Sequence, residues 1–139
     1  MSTDSRSVLI HQASALEAGQ FDRFVLGATL AGCAYLGQTI PYGQVGYNVE
    51  TMFLYSLLIL ACSAMLGFKR IEAGLNATKM NSKYLHHLEM RNPEAAYLCQ
   101  LSMDTWVDKT STFYRLRNLM LMLGFGCYIA TKVFATYVK

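Results

Sequence analysis

Residues 51–68 read TMFLYSLLILACSAMLGF, a run without a single charge. As a helix rising 1.5 Å per residue it measures about 27 Å, close to the ~30 Å hydrocarbon core of a bilayer. One such run decides little, because the core helix of a soluble protein can look the same. Two more blocks lie to either side of it, FVLGATLAGCAYLGQTI at 24–40 and NLMLMLGFGCYIATKVFATYV at 118–138, and the only charge in all three is Lys132. These measure about 25 and 31 Å. A 139-residue chain that is 53% hydrophobic has too little polar sequence left to cover three such runs in water. The expected fold is therefore an all-α integral membrane protein, with three transmembrane helices and a cytoplasmic helical hairpin between spans 2 and 3.

Charge sets the orientation. Lys69, Arg70, Lys79, Lys83, Arg91, Lys109, Arg115 and Arg117 all fall between the second and third blocks, whereas 41–50 holds no Lys or Arg. Cytoplasmic loops carry the excess of basic residues, so the expected organisation runs as follows. Residues 1–23 form a cytoplasmic, weakly amphipathic segment, 24–68 a transmembrane hairpin, 69–117 a cytoplasmic helical segment, and 118–139 a third span ending outside. The net charge of +3 has no Arg-rich cluster or nucleic-acid motif behind it, so nucleic acid is not an expected partner. Asp4, Glu17 and Asp22 among the first residues do not fit a cleavable signal, and Leu30–Cys33 resembles a lipoprotein box only in its last four letters. The bacterial inner membrane is the expected location, because no Arg-rich, acid-poor transit segment precedes the first span; the mitochondrial inner membrane is the alternative.

Local signals place the helix ends. Val8, Ala15, Leu16 and Phe21 give 7–21 a weak amphipathic pattern. Pro41 ends the first span, and Tyr42, Gly43, Gly46 and Tyr47 suit an outer turn with interfacial tyrosines. No breaker follows Phe68, so the second helix is expected to project beyond the membrane. Asn92, Pro93 and Glu94 mark a new helix start, with a capping side chain, a proline in the first turn and an acid at the positive end of the dipole. Tyr97, Leu98, Leu101, Trp106 and Val107 are then expected to pack against Leu75, Leu85 and Leu88. Trp106, Phe113 and Tyr114 fit an aromatic belt before the third span.

Within the spans, small residues at four-residue spacing are the candidates for helix association: Gly27 with Ala31, Ala28 with Gly32 and Cys33 with Gly37 in the first, Ser63 with Gly67 in the second, Gly126 with Ala130 in the third. Lys132 is the intramembrane charge candidate. It reaches the outer interface by snorkelling, or it meets Glu50 and Gln38 at the outer ends of the other spans. Cys33, Cys62, Cys99 and Cys127 are too dispersed for a disulfide or metal framework. His86 and His87 point about 100° apart on a helix and suit a metal poorly, and Asp104 and Asp108 beside Lys109 suit a solvated face. Asn76–Thr78 matches a glycosylation acceptor on the cytoplasmic side, where it is not used.

No catalytic, metal or cofactor set is expected. The function expected is non-enzymatic: an accessory or assembly subunit of a membrane complex, touching membrane lipids and other membrane subunits or copies of itself. A homo-oligomeric pore or membrane-perturbing effector gated by the cytoplasmic helices is the alternative, and a lipid- or quinone-binding subunit of a membrane enzyme the third reading. The orientation is checked by a cysteine reporter at Lys139 in intact cells: labelling from the outer side is expected, and labelling only from the cytoplasm overturns it.

Overall fold

In the computed structural model, residues 3–40, 43, 45, 46 and 48–137 are described, with the side chains of 3–15 left aside. They form three helices, α1 Thr3–Thr39, α2 Val49–Glu89 and α3 Pro93–Tyr137, and the described chain is all-α. Pro41, Tyr42 and Tyr47 of the expected outer turn, and the side chains of Val8 and Ala15, lie outside the described residues. Each apolar block is continuous with the polar helix beside it, so α2 and α3 run unbroken through 41 and 45 residues. At 1.5 Å per residue these are rods of about 62 and 68 Å.

The turn between them is built from local chemistry. Asn92 N–H donates to the His87 carbonyl and Arg91 N–H to that of Leu88, each at 3.0 Å, the crossed pair that closes a helix when the next residue turns left-handed. Arg91 is that residue, with φ 54°, where glycine is the usual occupant. Asn92 then caps α3 as its sequence suggests, its Oδ1 accepting from Ala95 N–H at 3.3 Å.

α2 and α3 lie antiparallel and share the main interface, while α1 packs chiefly on α2. On α3 the covered positions Ala96, Cys99, Met103, Trp106, Thr110, Phe113 and Arg117 alternate steps of three and four, and Gly124 and Thr131 continue at sevens. A 3.5-residue period is the seam of a left-handed coiled coil. This register differs from the expected one. Trp106 lies in the seam, but Leu75, Leu85, Leu88, Tyr97, Leu98, Leu101 and Val107 are about half exposed or more. The face is set by close helix contact elsewhere along the rods, not by the bulk of the local side chains.

That contact depends on small residues. Ser63 hydroxyl donates to the Arg117 carbonyl at 3.0 Å, from one helix directly to the backbone of the other. A side chain at Gly124 would meet Leu60 Cγ at 2.7 Å and its backbone nitrogen at 3.3 Å. Leu60 is fully buried and joins Leu36, Ile40 and Phe53 in the core, with Phe53 against Tyr128 at 5.8 Å between ring centroids. Among the described residues α2 and α3 are long and apolar enough to cross a membrane; only 39% and 11% of their most apolar stretches are buried, unlike the core helices of a soluble protein.

Gly124→Leu is expected to destabilise the fold by about 2 kcal/mol through overpacking, seen as a lower thermal midpoint in detergent. Gly126→Leu, where the space around the glycine is open, is expected to leave the midpoint unchanged.

Candidate functional site

Three charged side chains meet inside the bundle, one from each helix. Asp22 of α1, Arg70 of α2 and Arg117 of α3 each lie within two residues of the end of an apolar block, so the helices bring them to one level. Asp22 Oδ1 accepts from Arg117 Nη1 at 3.0 Å and also from Arg70 Nη1. Arg117 is 3% exposed at its side chain, Asp22 12% and Arg70 15%.

Packing around the cluster explains how these charges are tolerated. Gly67 stands three residues before Arg70 on the same face, where an added Cβ would be 3.1 Å from Leu26 and 3.5 Å from Arg117 Cδ. The absent side chain lets Leu26 of α1 come close to α2 beside the Arg117 stem. Arg117 Nε and Nη2 both donate to Asn118 Oδ1, at 3.1 and 3.0 Å, so its fork is spent on Asp22 and Asn118. The Tyr114 ring takes both guanidinium groups on its π-system, Arg70 Cζ at 4.2 Å from the centroid and Arg117 Cζ at 5.3 Å. Burial lowers the Arg70 guanidinium from its ordinary value; Asp22 opposes this and the neighbouring Arg117 adds to it. By contrast Lys69 and Glu72 pair at 2.8 Å on the exposed surface, where the Lys69 hydrogen bond lowers the Glu72 carboxyl and solvent screens the pair.

Two clefts open beside Arg70. One, of about 250 Å³, has Asp22, Arg23, Arg70, Thr78 and Thr110 in its wall; the other, of about 440 Å³, runs along Val107, Thr110 and Tyr114. Guanidinium stays protonated across the ordinary pH range, so the cluster offers fixed positive charge and hydrogen-bond donors, not a proton relay. Among the described residues no three His, Cys, Asp or Glu side chains gather as a metal site would require.

The residues singled out by sequence separate into an inner and an outer set. Ser63 and Gly67 are buried at the α2–α3 seam, and at half-buried Gly32 an added Cβ would lie 3.8 Å from the Phe125 ring. Gly37 is half-buried, whereas Gly27, Ala31, Gly126 and Ala130 are exposed. Lys132 is exposed, its ammonium 6.0 Å from the Phe53 ring centroid, on the wall of a small cavity with Tyr35, Thr39 and Tyr128. Among the described residues no ion pair joins it to Glu50, whose carboxylate folds back over Gly43, and Gln38 is exposed.

Asp22, Arg70 and Arg117 were legible only as loop charges. The signal that marks them is positional, since opposite charges stand at matching ends of three apolar blocks. Comparison with protein-family models, curated proteins and solved structures finds no match to this chain.

Asp22→Asn leaves two buried guanidinium groups without their counter-charge. A loss of about 3 kcal/mol is expected, measured by chemical denaturation in detergent. A midpoint equal to wild type would show that Asp22 does not hold the helices together.

Proposed function

We propose that this chain is an integral membrane protein that crosses the bilayer three times, and that it serves as an accessory or assembly subunit of a larger membrane complex. The orientation proposed has the amino terminus in the cytoplasm and the carboxyl terminus outside. The first crossing rests on the ion cluster. Asp22 is tied level with Arg70 and Arg117, so if α2 and α3 enter the bilayer there, the apolar half of α1 lies beside them at the same depth.

One observation carries the assembly reading. Rods of about 62 and 68 Å are roughly twice the thickness of the hydrocarbon core, so about half of α2 and α3 projects into the cytoplasm. That half exposes Leu85, Leu88, Tyr97, Leu98 and Leu101, where lipid does not reach. Apolar surface left in water costs roughly 25 cal/mol per Å², which favours cover by another protein. Within the bilayer the uncovered Gly27, Ala31, Gly126 and Ala130 support the same reading, because small residues let a neighbouring helix approach closely.

The test is purification of the tagged full-length protein from carbonate-washed membranes in mild detergent, with mass measured for the particle and its chains. Retention in the washed membranes and stoichiometric foreign subunits are expected. The pair Leu98→Glu and Leu101→Glu is expected to shed those subunits while helix content stays constant. A closed ring of this chain alone would replace the accessory reading with self-assembly, and release by carbonate would remove the membrane reading.

A further inference from the structure

The ion cluster does not balance. Asp22 contributes one negative charge against two positive charges from Arg70 and Arg117, and this excess is held at side chains that are 15% and 3% exposed. Among the described residues the charged side chains acting on Arg70 are Asp22 and Arg117, and the nearest acid along α2, Glu72, is paired with Lys69 on the outside. The Tyr114 ring offers a quadrupole but no counter-ion. Arg70 Nε–H is buried and has no acceptor among the described residues, although buried donors are nearly always paired.

The cleft of about 250 Å³ has Arg70 and Asp22 of this cluster in its wall, and Arg23 adds a second guanidinium, so that positive charge exceeds negative there too. The threonines in its wall bring no free donor, because Thr78 donates to the Gly74 carbonyl and Thr110 to that of Trp106. Donors for a guest therefore come from the arginines, whose planar fork matches the oxygens of a phosphate group. The volume is well above the ~10–15 Å³ that one water molecule needs on the same measure, room for a phosphate and the atoms that esterify it.

We infer that the cleft between α1, α2 and α3 beside Arg23 and Arg70 binds a phosphate group bearing net negative charge, as an anionic lipid headgroup or as free phosphate. The lipid source rests on the membrane reading above, in which the cleft stands where the apolar blocks end, at headgroup depth. The site itself rests on the charge excess and the cleft.

The experiment is native mass spectrometry of the full-length protein in neutral detergent with phosphatidylglycerol and phosphatidylcholine at equal concentration, repeated with inorganic phosphate added. Phosphatidylcholine carries the same diester with a cation that the arginines repel. Phosphatidylglycerol is expected to be retained about fivefold better, and Arg23→Gln to lower its retention roughly fivefold. Arg23 is exposed and outside the ion cluster, so this variant is expected to keep the wild-type thermal midpoint. Displacement of the lipid by inorganic phosphate supports the site with free phosphate as ligand; retention against it supports the site with the headgroup as ligand. Equal retention of the two lipids with no effect of phosphate overturns the proposal, as does undiminished retention by Arg23→Gln. A chain released by carbonate whose thermal midpoint still rises with inorganic phosphate keeps the site and loses only the membrane reading.

Discussion

The contact between Asp22 and the two arginines constrains everything else in this bundle. A carboxylate and two guanidiniums lose hydration when buried, and their attraction offsets that loss only if geometry and hydrogen bonding are good. Here each helix supplies one member, so the three helices cannot slide or rotate independently without leaving a charge unpaired. The cluster thus sets register more than it adds stability, a use of buried charge that apolar side chains, which tolerate sliding, cannot provide.

The small residues follow from that register. Gly67 lets Leu26 approach α2 beside the Arg117 stem, Ser63 bonds to the Arg117 backbone, and seven residues further along α3 Gly124 lets Leu60 sit against the helix backbone. Charge and close packing therefore act on the same residues of α2 and α3. The large apolar side chains near the α2–α3 turn do not take part, and remain at the surface.

How much of this was legible depends on the range of each signal. The α2–α3 turn could be read at Asn92 and Pro93 because capping is a matter of a few neighbouring atoms. The charge-free run at 51–68 and the run at 118–138, whose one charge is Lys132, could be read because the length of an apolar stretch is a bulk property of composition. The face of the α2–α3 hairpin near its turn differs from the expected one because Tyr97, Leu98 and Leu101 look apolar in isolation, while the register that turns them outward is set by Arg117 and Gly124, a long way down the same helix. The ion cluster was hidden for a related reason. Sorting charges by side of the membrane treats Arg70 and Arg117 as interchangeable with Lys79 or Arg115, although only the first two meet an acid in the bundle.

The unbroken course of α2 and α3 has a mechanical consequence. A stiff helix pair held at one level by an ionic knot behaves as a lever with its pivot at that level. From Arg70 to the tip at Met90 the arm is about 30 Å, so a tilt of about ten degrees at the pivot carries the tip sideways by about 5 Å. Small changes in how the apolar half is seated are thus delivered, enlarged, to the far end of the hairpin.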